Sequence, residues 1–239
     1  MPARKKLAVM QPYLFPYLGY WQLLASVDTF VVLDDVNFIN RGWINRNRIA
    51  INGESSWLTV PLNGASQNKL ICDIDIAADD GWKKRLQRTL STAYAKAPQS
   101  ATVLPLFEQW LTHADGNLSA ALHLSLTQVA NALGITTSII PSSRIYPKHE
   151  LKGQDRILDI CKHLGADIYV NPPGGRELYD KDNFRQAGIE LVFLQPDLHR
   201  EQLRTGAADG TVLSILDSMM HNSAEALGDA VKHFELHTA

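Results

Sequence analysis

Positions 34–48 gather the residue types most suited to chemistry. Asp34-Asp35-Val36-Asn37 is followed by a segment in which Arg41, Arg46 and Arg48 alternate with Asn40, Asn45 and Asn47, beside Gly42 and Trp43. A guanidinium group suits carboxylate or phosphate because its planar fork meets two oxygens at once. An aspartate can act as a general base when its surroundings raise its pKa. Paired aspartates could also hold a divalent cation, but neighbouring side chains in an extended segment point apart and no full ligand set is visible, so no metal is assigned. The plainer reading pairs the arginines internally with Asp34 and Asp35, which accounts for one arginine more readily than for three. The candidates here are Asp34 and Asp35 as catalytic groups, with Asn37, Arg41, Asn45, Arg46, Asn47 and Arg48 as binding groups.

Three other segments carry similar potential. In Gln11-Pro12-Tyr13-Leu14-Phe15-Pro16-Tyr17-Leu18-Gly19-Tyr20 two prolines restrict the loop, and Gly19 allows close backbone approach at a helix start, where free N–H groups attract anions. Tyr17 and Tyr20 are three apart and share one side of that helix, which makes them catalytic candidates beside Gln11 and Gly19 as binding groups. For Tyr13 and Phe15, packing between helix and sheet is an equal alternative. Ser142-Ser143-Arg144 forms either an anion-binding turn or a cap. In Asn171-Pro172-Pro173-Gly174-Gly175-Arg176 the glycines allow backbone amides to face a ligand, and Asn171, Gly174 and Gly175 join the binding set. The spacing fits neither a dinucleotide fingerprint nor a P-loop, so the cofactor stays unknown. His221 reads as a helix C-terminal cap, and Cys72 and Cys161 as core.

These segments need a scaffold that brings them together. Leu7–Met10 and Thr29–Leu33 read as buried strands around a helix at 19–25, the spacing of a parallel βαβ unit. Asn52-Gly53 between 49–51 and 57–60 marks a tight hairpin, and 70–76 alternates as a further strand. Helices are expected at 81–97 and 117–133, the first with a basic outer face of Lys83, Lys84, Arg85 and Arg88. Beyond them, strands near 135–140, 167–170 and 190–194 alternate with helices at 154–164 and 181–187, and helical pieces at 211–220 and 223–234 close the chain. The expectation is a single α/β domain with a mostly parallel sheet and flanking helices, plus a β-hairpin insertion and C-terminal helices. Its sub-parts are a first βαβ unit (1–40), a hairpin insertion (41–80), a helical segment (81–134) and a second α/β part (135–239). In such a sheet ligands gather beyond the carboxyl ends of the strands, where each of the four candidate segments falls.

Composition narrows the field. The 239 residues carry 23 basic and 25 acidic side chains, a net charge of −2, which argues against a general nucleic-acid binder. That balance averages a basic stretch near 41–96 with an acid-rich remainder. Two distant cysteines exclude a disulfide scaffold. Prolines interrupt the apolar run after the basic start, no segment is apolar enough to span a membrane, and a cytoplasmic protein is expected.

The first loop resembles in shape the H-x-G-H turn of the nucleotidylyltransferase superfamily, a Rossmann-like fold, with Tyr17-Leu18-Gly19-Tyr20 in its place. Tyrosine, with a pKa near 10, cannot supply the imidazolium that stabilises a transferring phosphoryl group, so a shared fold would leave hydrogen bonding rather than adenylyl transfer. Met10 to Gln22, Phe30 to Phe38 and Arg41 to Arg48 together resemble the WbqC-like protein family. The resemblance continues through Trp57–Pro61, Ser142-Ser143, Gly165-Ala166-Asp167, Gly174-Gly175 and Ser214–Asp217. It implies a bacterial protein encoded beside genes for O-antigen and other surface polysaccharides, and transfer of glycine or another acyl group to a sugar. The family's recurrent positions match Gln11, Pro12, Gly19, Asp34, Asp35, Arg41, Asn45, Arg46 and Asn47, while Asn37 replaces a frequent glutamine with a shorter amide. The function expected is a transferase acting on an activated, anionic small molecule: a nucleotide, nucleotide sugar or acyl donor. The alternative is a non-catalytic ligand-binding module of the same architecture.

Overall fold

The structure is a computed structural model that describes residues 3–197, 203–208 and 210–239. The chain opens with β1 (Lys6–Met10), α1 (Leu18–Ala25) and β2 (Thr29–Val32), then leaves the sheet for the hairpin β3 (Arg46–Ile51) and β4 (Glu54–Thr59) and the short pair β5 (Leu62–Asn63) and β6 (Asp75–Ile76). Three helices follow, α2 (Gly81–Ala93), α3 (Ser100–His113) and α4 (Leu118–Ala132). The chain then re-enters the sheet through β7 (Ser138–Ile140), α5 (Gly153–Leu164), β8 (Ile168–Asn171), α6 (Lys181–Gln186) and β9 (Glu190–Pro196). It ends with α7 (Ile215–His221), α8 (Ala224–Ala230) and β10 (Phe234–Thr238).

The central sheet runs β10-β9-β8-β1-β2-β7, parallel throughout except for antiparallel β10. From β1 the chain moves outward to β2 and β7, then crosses back to β8 on the opposite flank of β1. Strand order therefore reverses between β1 and β8, which opens a crevice beyond their carboxyl ends.

The two-residue period of the strands sorts their side chains onto two faces. Ala8, Phe30, Val32, Val170 and Leu194 pack with α1, α3, α4, α7 and α8. Leu7, Val9, Val31, Tyr169, Leu191 and Phe193 pack with Ile157, Ile160 and Cys161 of α5 and Phe184 of α6. Both faces are covered by helices, as an interior parallel sheet requires. Among the described residues no helix is long and apolar enough to cross a membrane.

Local chemistry accounts for the element ends. Asn52 and Gly53 both take positive φ, 52° and 83°, the backbone twist that a two-residue hairpin turn needs. The Asn117 side chain accepts from the Ala120 N–H at the start of α4, and Gly165 ends α5 at φ 61°.

Three sequence expectations change. The strand expected at 70–76 is a 3-10 turn at Ile71–Asp73 followed by the two-residue β6, because its backbone bonds instead to the loop after β2: Ile71 N to Val36 O at 3.0 Å and Cys72 N to Asp34 O at 3.0 Å. Cys72 is consequently only half-buried, not core, and burial, with Asp34 nearby, pushes its thiol up to about 11. Helix α3 is new, and it carries Pro105 on its exposed face, where water can reach the carbonyl that the ring leaves without a donor. The segment expected as helix to residue 234 ends at Ala230 and turns into β10.

The hairpin is tied to the helical layer by buried Asp217. Its Oδ1 accepts from the Tyr94 hydroxyl at 2.9 Å, and that hydroxyl accepts from the Ala50 N–H at 3.1 Å. Tyr94→Phe strands the Ala50 N–H and takes one donor from Asp217, which keeps those of Thr205 and Gly206, and a loss of about 1–3 kcal/mol in urea unfolding at unchanged slope is expected; a change below about 0.5 kcal/mol would show that water replaces the hydroxyl.

Candidate functional site

The loop between β1 and α1 crosses the carboxyl edge of the sheet without strand partners, so its carbonyls must be met by side chains. Buried Asn47 of β3 donates from Nδ2 to the carbonyls of Leu14 and Phe15, both at 2.9 Å. Its Oδ1 accepts from the Arg48 N–H at 2.8 Å, which fixes the amide's orientation. The Ser214 hydroxyl, at the N-cap of α7, donates to the same Phe15 carbonyl at 2.7 Å. The Leu14 N–H donates to Trp43 O at 3.0 Å and the Ile215 N–H to Pro16 O at 3.0 Å. Asn45 donates to Val60 O at 2.8 Å and so holds the hairpin's open end. Asn45 and Asn47, expected as ligand-binding groups, thus spend their amides on the scaffold.

Above this loop, at the reversal between β1 and β8, lies a cleft of about 480 Å³ walled by Met10, Tyr13, Tyr17, Gly19, Tyr20, Trp43, Asn47 and Pro172. The Tyr20 hydroxyl donates to Gln11 O at 2.9 Å and is committed. The hydroxyls of Tyr13 and Tyr17 make no hydrogen bond among the described residues, and both line the cleft. Burial raises the pKa of all three phenols, most for Tyr20, so each is a neutral donor at physiological pH. A Cβ on Gly19 would lie 2.6 Å from Cε2 of Tyr17, so any larger residue there would displace the ring that folds over the first turn of α1.

Trp43 belongs also to an exposed cluster on the hairpin. Its ring lies 5.5 Å from that of Trp57, Arg46 stacks 4.0 Å over Trp57, and Arg48 sits 4.8 Å from Trp57 and 5.7 Å from Trp43. Arg46 also donates to Gly42 O at 3.2 Å and to Arg41 O. The side chains of Arg41 and Arg48 have no hydrogen bond or ion pair among the described residues. The basic face of α2 is different: Lys83 pairs with Asp115 and, at 3.6 Å, with Asp80, while Lys84, Arg85 and Arg88 are solvated.

The aspartate pair forms a second, buried network between β2 and β7. Asp34 accepts from Ser119 Oγ at 2.5 Å, Ser142 Oγ at 2.7 Å and the Ser143 N–H at 3.2 Å. Asp35 accepts from Ser143 Oγ at 2.5 Å and from Arg156 at 2.9 Å, with Lys148 at 3.8 Å. Arg156 donates further to the carbonyls of Ser143, Tyr146 and Pro147 at 2.7–3.0 Å. Internal pairing therefore exists, but through Arg156 of α5; none of Arg41, Arg46 and Arg48 takes part. Arg156 escaped the sequence reading, although a charge one turn before Ile160 on an apolar stripe was its signal. Ser119, on the buried side of α4, gave none.

The remaining candidates lie around these two centres. Asn37 is exposed beside Lys148 and Lys152. Asn171 is buried with its Oδ1 accepting from Tyr169 at 3.3 Å, and its Nδ2 lies 1.7 Å from where a Cβ on Gly175 would sit, which demands glycine there. Gly174 is exposed with open space around its Cα. His221 ends α7 with Nε2 3.7 Å from Asp217.

Fold and cleft together define an α/β protein with a mostly parallel six-stranded sheet, flanking helices and an open cleft at the point of strand-order reversal. The model of the WbqC-like protein family matches residues 11–228, and the chain belongs to that family. It is 30% identical over 224 residues, 93% of this chain and 96% of the relative, to the uncharacterized protein Rv1507c of Mycobacterium tuberculosis. No solved structure matches it.

The buried ion pair yields a stability prediction. Arg156→Met leaves Asp35 short of its principal partner, and a loss of about 3–5 kcal/mol is expected in urea unfolding. Adding Asp35→Asn should recover much of it; a double variant no better than the single would place the cost elsewhere than in the uncompensated charge.

Proposed function

We propose that this protein is a transferase acting on an activated, anionic small molecule in bacterial surface-polysaccharide biosynthesis, with acyl or aminoacyl transfer to a sugar as the reaction. Family membership points to polysaccharide-related biosynthesis. The observation that carries the reading is the cleft itself, placed where parallel α/β sheets bind ligands and walled by two tyrosines whose hydroxyls make no hydrogen bond among the described residues. In this reading Tyr13 and Tyr17 donate to the substrate, Gly19 leaves room for the Tyr17 ring to lie over the first turn of α1 and face it, and Gln11 helps orient it. Arg41 and Arg48 hold its anionic part, with Arg46 supporting them. For Asp34 or Asp35 to take a proton from the accepting amine or hydroxyl, its serine donors would first have to turn away. We therefore assign both a positioning role, together with Ser142 and Ser143.

A second reading is a non-catalytic ligand-binding module. It is favoured by one observation: among the described residues no carboxylate lines the cleft.

Thermal unfolding with nucleotides, nucleotide sugars, acyl-CoA and amino acids tests both. A true ligand at 100 times its Kd should stabilise the protein by about 2.7 kcal/mol. Arg48→Ala should weaken binding of an anionic ligand about tenfold, the loss of one charge-assisted hydrogen bond. Binding followed by product formation supports the transferase, and binding without product over long incubation supports the module. Absence of any shift would overturn both.

A further inference from the structure

We infer that the hairpin face carrying Trp43, Trp57, Arg46 and Arg48 is a nucleotide subsite continuous with the cleft, where a planar base stacks on the indoles and phosphates meet the guanidinium groups. This rests on the cleft reading above and narrows its substrate to a molecule with a nucleotide at one end. A nucleoside-diphosphate sugar and a coenzyme A thioester share that chemistry.

The argument begins with where tryptophan is spent. Of the five tryptophans, Trp21, Trp82 and Trp110 are at most 2% exposed and belong to the core, whereas Trp43 and Trp57 are 40% and 42% exposed. Leaving two indoles in water, side by side, forgoes apolar burial that the core takes wherever it can. Strand register explains how they are held there: Arg48 lies directly opposite Trp57 in the β3–β4 ladder, and Arg46, two residues earlier, shares its face. Arg46 is braced by the carbonyls of Arg41 and Gly42, which fixes its plane over Trp57 at 4.0 Å. Arg48 has no such brace among the described residues, and its guanidinium sits beside both indoles, 4.8 Å from Trp57 and 5.7 Å from Trp43.

The flanking chemistry selects the ligand. The guanidinium groups stacked on the indoles, Arg46 and Arg48, and the exposed Arg41 beside them in the chain carry positive charge, which favours an anion over a neutral sugar on this face. That charge calls for an acceptor-rich anion, and a flat aromatic surface beside it calls for a planar ring. A nucleotide supplies both. Trp43 is also a wall of the cleft, so a base and phosphates on the hairpin would lead the rest of the molecule towards Tyr13 and Tyr17.

Tryptophan fluorescence of the protein, titrated with UDP, ADP, coenzyme A and inorganic pyrophosphate, tests this. The expected result is saturable quenching by at least one nucleotide, with pyrophosphate at least tenfold weaker and without quenching. Trp57→Leu, with an unchanged melting temperature in the absence of ligand, should lose about tenfold in affinity, and Arg48→Gln a similar factor. Tighter binding of UDP or ADP identifies a nucleotide-sugar donor, and tighter binding of coenzyme A an acyl donor. If a ligand raises the melting temperature but binds both variants as well as the wild type, the subsite fails and the cleft reading stands. If no nucleotide, acyl donor or amino acid shifts melting at all, both fail. Stronger quenching by a single-stranded oligonucleotide than by any mononucleotide would overturn the proposal in favour of a nucleic-acid surface.

Discussion

The loop from Gln11 to Tyr17 crosses the open end of a parallel sheet, and the carbonyls of Leu14, Phe15 and Pro16 are turned inward with no strand to receive them. Unmet buried carbonyls are costly, and the surrounding architecture is arranged to meet these. Asn47 reaches them from the hairpin, Ser214 and the Ile215 N–H from the start of α7. The hairpin and the C-terminal helices are thereby brought to one end of the sheet, and the cleft forms over the loop they hold. Replacing the Asn47 amide with any group lacking its donor would remove the bonds that define the cleft's floor.

Charge is handled in two ways at that same end. Between β2 and β7 the carboxylates of Asp34 and Asp35 are buried and fully hydrogen-bonded, with Arg156 and Lys148 as counter-charges. On the hairpin, Arg46 and Arg48 have no ion-pair partner among the described residues and lie against indole faces instead. A saturated network has little left to offer a ligand and holds backbone in place, whereas an unsaturated one is ready to bind. This contrast moves the functional emphasis from the paired aspartates to the tyrosines and the tryptophan–arginine face.

Much of the scaffold was legible because its signals are local. The β1–α1–β2 unit and the Asn52-Gly53 turn each depend on residues within one or two turns of chain. The placement of all candidate loops at the carboxyl edge followed from strand alternation alone. Helix α3 was hidden by Pro105, whose exposed position is a tertiary fact. The segment 70–76 has strand-like alternation, but its backbone donors go to the loop after β2. At the candidate site, residue types were readable and their partners were not: Arg156 lies 121 positions from Asp35 and Ser119 lies 85 from Asp34. The asparagines at 45 and 47 looked like ligand groups because polar clusters that bind and polar clusters that brace have the same composition.

The sheet ends differently on its two sides, and this bears on how the molecule behaves in a crowded solution. At one margin β7 offers only three residues before Pro141, too short a template for a foreign strand. At the other, β10 runs against its parallel neighbours and presents exposed Glu235 and His237 along the outer rim. β7 is thus a stub, while β10 carries charged and polar side chains around Leu236, itself 37% exposed. The two margins of the sheet therefore leave different lengths of unpaired backbone, three residues at one side and five at the other.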